Sequence, residues 1–531
     1  MAQSDYAASG ITLPPALAGR WPRISAVDLA ITLVFALLVV TQIAHHEMWR
    51  DEIHTWGMVL ASPSLSDLFA NLRYTGHPGL WYLLVWAASW FTDSPYAVQV
   101  VHAGISVLLI AAIGLWSPFS RLEKILLLCS YFVLFEYTVI SRNYGIGMLL
   151  AFFYAQCRAM QPERAYLNGF LLGLLANTNM FGLVLSGAFA CELALDMLIR
   201  RGWSVRAVIG PLLRGAAVYL PLVALAVAAM LPAHDISWRS TGQPFQESFD
   251  LTRLSVIVGN NVASMLPIHA LDYWIADRPS HASPQGTIAV SAPVVLLLAL
   301  PALIAAYVYI FKDRHHLLII PGLTLAGSIA IGQLIYSGEI RHWGINFVAF
   351  AAVLWIERRW NPVSSLAATA LLGISAIAGV AISIQQSQLT FSEAGPTARW
   401  IRDNGLANDA LVMTPDTMAA PVAVYLGKPA YFLDCSCIDE FMFYHNRRDP
   451  FDESQIPARL ARAVQELQGK PILFVTSDAL TPGQTSEIGG YGIGTAMLAE
   501  FTNAGTDENY YVYRVTRPGE PAPVANPPAK P

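Results

Sequence analysis

Residues 24–44 read ISAVDLAITLVFALLVVTQIA, and residues 45–54 read HHEMWRDEIH. The first stretch is apolar over about the length that crosses a hydrocarbon core as a helix. Arg20 and Arg23 precede it, and no small-residue cleavage site follows. It therefore reads as a retained span rather than a signal peptide. The second stretch holds seven ionisable groups in ten positions, at the point where the chain leaves the apolar run.

The whole composition agrees with a membrane reading. Of the 531 residues, 55% are hydrophobic and only 13% are charged, with a net charge of −5. An ordinary soluble chain carries about 25% charged residues. So few charges cannot cover the surface of a soluble protein of this length. This excludes a cytosolic enzyme, a disordered chain and a nucleic-acid binder, which needs a basic face. Five cysteines are too few for a disulfide scaffold.

Further apolar runs fall near 98–116, 125–141, 145–159, 166–179, 180–198, 207–231, 288–311, 317–336, 343–356 and 363–384. With the first, these predict about eleven spans of an all-α polytopic protein. The segment 79–91 is apolar but short and reads as a juxtamembrane helix. The 166–198 stretch is long enough for two helices divided near Asn177 to Asn179. With the N-terminus inside, the inner loops carry Arg121 and Lys124, Arg158 and Arg164, Arg200, Arg201 and Arg206, Lys312 and Arg314, and Arg358 and Arg359. That is the asymmetry of the positive-inside rule. The expected organisation is a cytoplasmic segment 1–25, a membrane module 26–390 with outer loops 45–97 and 232–287, an extracytoplasmic α/β domain 391–517 and a Pro-rich disordered tail 518–531. Within 391–517, helical stretches (394–404, 417–427, 453–468) alternate with strands near 410–414, 430–433, 472–476 and 510–515. Cys435 and Cys437 read as badly placed for a mutual disulfide.

Ionisable residues beside a span are costly and call for an explanation. Four clusters fall on the outer side. They are His45 to His54, the His77-Pro78 turn opening an aromatic helix, Glu136 with Arg142-Asn143-Tyr144, and Glu339-Ile340-Arg341-His342. Each also has a plain reading: a solvated loop with Trp49 as an interfacial aromatic, an anchored interfacial helix, or a Glu136–Arg142 ion pair. His234, Asp235, His269 and Asp272 lack tight metal-ligand spacing.

Trp49-Arg50-Asp51-Glu52 after a first span, then His77-Pro78 before Leu80 to Leu84, then Arg142-Asn143-Tyr144, resemble GT-C glycosyltransferases. The nearest branch is the protein mannosyltransferase and aminoarabinose transferase group. The resemblance covers roughly residues 25–360, and more loosely the outer C-terminal domain. Gly79 stands where the family often has a second Pro, and Asn143 where it often has Pro. The resemblance implies a polyprenyl-phosphate sugar donor, with a glycolipid, glycan or protein acceptor at the outer face of a bacterial inner membrane. Membrane lipids are the other expected partners, and nucleic acid is not. An acceptor attacking the anomeric carbon needs a base, and Asp51 is the candidate, with Glu52 beside it. The leaving phosphate needs cations, and Arg142 and Arg341 offer the fork that matches phosphate oxygens. Arg50, His77, Glu136, Tyr144 and His342 complete the expected substrate-binding set. No diphosphate leaves and no Asp-x-Asp signature is present, so the mechanism expects no cofactor and does not require a divalent metal. The competing classes are a transporter or flippase of lipid-linked sugars, which favours mid-membrane charges and paired broken helices, and an assembly scaffold.

Overall fold

The computed structural model describes residues 24–160, 163–235, 251–267, 298–336, 338–439 and 452–521. It is mostly helical. Six of its helical segments are long and apolar enough to cross a membrane: Ala26–His45, Ala97–Trp116, Met180–Arg200, Val205–Met230, His315–Leu334 and Leu366–Gln386. The first of these, α1 (Ala26–His45), exposes Leu33, Val34 and Leu37 at 60–69%. An apolar helix with so little protein around it belongs in lipid. The chain is a multi-pass membrane protein.

Three short helices follow α1 on the polar side: α2 (Arg50–Leu60), α3 (Leu65–Leu72) and α4 (Leu80–Ala88). The membrane bundle continues with α5 (Ala97–Ala111), α6 (Arg121–Leu128), α7 (Asn143–Met160), α8 (Ala165–Ala176), α9 (Met180–Arg200) and α10 (Val205–Met230). The expected break between two helices at Asn177 to Asn179 is present. Asn179 caps α9 by accepting from the Gly182 amide at 2.8 Å. Next come α11 (Leu251–Ala263), α12 (Leu300–Ile310), α13 (Ile319–Leu334), α14 (Ile345–Trp360) and α15 (Leu366–Gln386). Most of the expected outer loop 232–287, with His269 and Asp272, lies outside the described residues, as do 288–297 and most of the two termini.

The run 125–141 is not one span. After α6 the backbone forms a wide turn over Phe132–Glu136 and stays irregular to Arg142. Irregular backbone survives at membrane depth only inside protein, and residues 132–141 are all buried. Gly379 of α15 admits this segment, because a Cβ there would strike the Cys129 carbonyl and the Ser130–Tyr131 backbone. Gly373 on the same helix faces open space. Gly379→Ala is therefore expected to cost about 1–3 kcal/mol by overpacking. Gly373→Ala should be neutral or gain up to about 1 kcal/mol of helix propensity. Equal thermal midpoints for the two purified variants would contradict this packing.

Beyond α15 the chain builds an α/β unit. Its sheet has six strands in the order β3-β2-β1-β4-β6-β5: β1 (Ala410–Thr414), β2 (Ala430–Phe432), β3 (Cys437–Asp439), β4 (Ile472–Thr476), β5 (Gly494–Phe501) and β6 (Tyr510–Thr516). β1 pairs parallel with β2 and β4, and the outer pairings are antiparallel. Side chains alternate between faces along a strand. Leu411, Met413, Leu473 and Val475 join the same core as the membrane helices, with α16 (Ala394–Asp403) and α17 (Asp416–Leu426) between. Val412, Ile472 and Phe474 form a second core under α18 (Ile456–Glu466) and α19 (Pro482–Gly490). β3, β5 and α19 had no counterpart in the sequence reading. The pairing of Cys435 with Cys437 overturns that reading: they form a disulfide across a tight turn. Ser436 adopts φ 49°, which draws the two Cα atoms to 5.2 Å, within bridging reach.

Candidate active site

The short helix α2 carries the densest ionisable cluster, and its start is held from three directions. The buried Glu52 carboxylate accepts from the Trp49 amide at 3.3 Å and from the Ser141 amide at 2.6 Å, and bonds His46 Nε2 at 2.7 Å. Glu52 thus ties α2 to the irregular segment before α7. It is fully buried among these partners, so its geometry is that of a strut that fixes the start of α2.

Arg50 turns the other way, toward the α/β unit. Its guanidinium makes a two-pronged bond to Asp507, at 2.8 and 3.2 Å, and its amide donates to Glu508 Oε1 at 2.8 Å. Glu508 also accepts from the Ser392 hydroxyl at 2.6 Å. In this arrangement the Arg50 side chain clamps α2 to the α/β unit.

Asp51 is where the separate clusters meet. One carboxylate oxygen, Oδ2, lies 2.8 Å from Arg142 Nη1 and 2.9 Å from Arg341 Nη2. Arg142 Nη1 also donates to the Asp51 carbonyl at 3.0 Å. The three side chains come from residues 91 and 290 positions distant in sequence. Arg341 sits on a single helical turn, Ile340–Trp343, whose carbonyl is held by the Tyr137 hydroxyl at 2.6 Å. Its guanidinium also pairs with Glu339 and lies 5.2 Å from the Trp49 ring centroid. Gly344, which ends that turn, packs against Phe132 and the Tyr137 hydroxyl where no Cβ fits. Arg142 therefore pairs with Asp51. Glu136, its candidate partner by sequence, accepts from the Tyr131 hydroxyl at 2.6 Å and is buried.

Tyr144 and the two histidines surround this triad. The Tyr144 ring stacks on Tyr137 at 5.4 Å and meets His342 edge-on at 5.7 Å. His342 Nδ1 accepts from the Glu339 amide at 2.9 Å, with Phe181 and Tyr336 against its ring. His77 stacks on Tyr82 at 6.5 Å. The Tyr144 hydroxyl and His77 Nδ1 are buried and have no hydrogen-bond partner among the described residues. Two such polar atoms beside an ion-paired triad are capacity for a polar ligand.

Charge states follow from burial and neighbours. Burial pushes the Asp51 carboxyl up, but Arg142 and Arg341, then Arg50 and His54, more than offset this and hold it below the usual carboxylate range. Burial lowers His54 to about 4 and His77 to about 3, so both are neutral at physiological pH. The Tyr144 hydroxyl, buried and without a hydrogen-bond partner among the described residues, has its proton available for donation. His54 was not among the expected site residues. Its place three residues after Asp51 on one helix face was the available signal.

Glu508 behaves oppositely to Asp51. Burial raises it to about 7, against the pull of Arg50 and the Ser392 and Arg50 hydrogen bonds. A carboxyl whose folded value lies above its unfolded one, about 4.3, contributes stability fully below that value and loses it as pH rises through about 7. The thermal midpoint is therefore expected to fall between pH 5 and 8. Glu508→Gln should flatten that fall; an unchanged slope in the variant would contradict it.

The remaining candidates lie apart. Asp235 accepts from the Tyr74 hydroxyl at 2.8 Å. Glu192, Asp196 and His316 place ligand atoms within 4.8 Å of one another. Arg158 bonds both carboxylates and Arg200 pairs with Asp196, so guanidinium groups already supply the positive charge there.

No family model matches the chain, and no curated protein matches it. Among solved structures, the fold is similar to the crystal structure of ArnT from Cupriavidus metallidurans bound to undecaprenyl phosphate. The identity is 13% and the TM-score 0.40, with 93% of this chain and 98% of that chain covered. This is a likeness of overall shape.

Proposed function

We propose that the chain is a GT-C-type glycosyltransferase that moves a sugar from a polyprenyl-phosphate donor to an acceptor at the outer membrane face. The observation that carries this is the single Asp51 carboxylate oxygen bridging Arg142 and Arg341. Two convergent guanidinium groups, with Tyr144 ready to donate, match the oxygens of one phosphate. The Asp51 carboxylate occupies that anion position between them.

The donor phosphate competes with Asp51 for the two arginines. As they turn to phosphate, the Asp51 carboxylate loses its two strongest charge partners and becomes more basic. It then takes the proton of the acceptor hydroxyl or amine as that group attacks the anomeric carbon. The bond from that carbon to the phosphate oxygen breaks, and its electron pair stays on the phosphate. Arg142 and Arg341 hold this growing charge more strongly than that of the bound donor. Glu52 and Arg50 position α2, and Glu136 supports the segment before Arg142. No step requires a metal.

The test is transfer by the purified chain in proteoliposomes from a polyprenyl-phosphate sugar, followed by release of polyprenyl phosphate. Release that depends on acceptor, and is lost in Asp51→Asn, supports the reading. Movement of intact lipid-linked sugar between leaflets, with no release, would favour a flippase.

A further inference from the structure

At the opposite end of the bundle, several cations of the helix ends are paired with acids. Arg158 meets Glu192 and Asp196, Arg314 meets Glu357, Arg358 meets Glu123, and Lys124 meets Asp28. Arg359, in the last turn of α14, differs. Its guanidinium donates to Gln156 Oε1 at 2.8 Å and to the Trp116 carbonyl at 2.9 Å. No carboxylate among the described residues pairs with it. Gln156 Oε1 also accepts from Trp355 Nε1 at 2.9 Å, so this oxygen is fully used.

Trp116, Gln156 and Trp355 also line a partly open cavity of about 290 Å³. Its other walls include Phe153, Leu167 and Leu171, and its accessible lining is apolar. Arg359 thus stands at the rim of an apolar crevice, held there through two of the crevice's own residues. Gln156 lies thirteen residues along α7 from Asn143, about 20 Å from the Asp51 end of that helix. A donor head group held at Asp51 does not reach this rim.

We infer that this crevice and Arg359 form a binding site for an anionic phospholipid of the opposite leaflet, with one acyl chain between Trp116 and Trp355 and the phosphate on Arg359. A half-buried guanidinium bonded only to neutral oxygens gains from an anion, and the anionic groups of that leaflet are lipid head groups. The apolar walls take the chain that such a head group carries.

Native mass spectrometry of the full chain in detergent tests this, with dioleoyl phosphatidylglycerol and dioleoyl phosphatidylcholine offered in equal amounts. Wild type should retain phosphatidylglycerol about fivefold more, the scale of one cation against an anionic head group. Arg359→Gln should abolish that preference. Leu167→Trp, which fills the crevice and leaves the charge, should reduce retention of both lipids, and it carries the test if Arg359→Gln does not fold. Equal preference in wild type and Arg359→Gln would overturn the site. So would release of phosphatidylglycerol by millimolar inorganic phosphate, which would make this a simple anion site.

Discussion

Asp51→Asn is expected to lower turnover by about 10²-fold or more, the typical weight of a positioned base. The substitution keeps the side chain's size and one hydrogen-bonding oxygen between Arg142 and Arg341, so the chain should still insert and fold. It removes the only carboxylate in direct contact with both guanidinium groups among the described residues. The loss should fall on kcat, because the arginines proposed to hold the donor remain. Sugar transfer measured at saturating donor checks this; turnover within a fewfold of wild type would remove Asp51 from the chemistry.

The second large effect is expected from the arginines. Arg142→Gln and Arg341→Gln together should weaken binding of a polyprenyl-phosphate analogue by about 10²-fold or more, since charged hydrogen bonds contribute about 1.5–3 kcal/mol each. The same change leaves Asp51 without its two counter-charges, so its carboxyl should rise toward the ordinary range or above. A lysine at either position keeps the charge and loses the fork. Arg142→Lys is thus expected to fall between wild type and Arg142→Gln. Equal analogue affinity in wild type and the double variant, measured by equilibrium binding in detergent, would rule out the phosphate role.

Much of this site was legible because its chemistry is local. Arg50-Asp51-Glu52 and Arg142 stand out as charges at the ends of apolar runs, where they are costly. Which charge meets which was not legible. Glu136 lies six residues from Arg142 and looks like its partner, yet the irregular turn at Phe132–Glu136 gives Glu136 to Tyr131. Glu508 lies 458 residues from Arg50 and sits in no motif, so its clamp on α2 leaves no trace in sequence. The roles of neighbouring residues also diverge: Arg50, Asp51 and Glu52 point to the α/β unit, the arginines and Ser141 respectively, because consecutive helical positions are turned about 100° apart. In the sheet, β1 and β4 were readable as short apolar runs. β3, of three residues, and β5, with its small and mixed side chains, offered no comparable pattern.

In the proposed mechanism Asp51 and a donor phosphate compete for the same two arginines. The most direct measurement is the affinity of a non-hydrolysable polyprenyl-phosphate analogue for wild type and for Asp51→Asn, at neutral pH in the same detergent. With the competing carboxylate removed, Asp51→Asn is predicted to bind the analogue more tightly, by about tenfold for each 1.4 kcal/mol of competition relieved, while its turnover collapses. Weaker binding by Asp51→Asn would show that Asp51 supports the donor rather than yielding to it, and would contradict the mechanism.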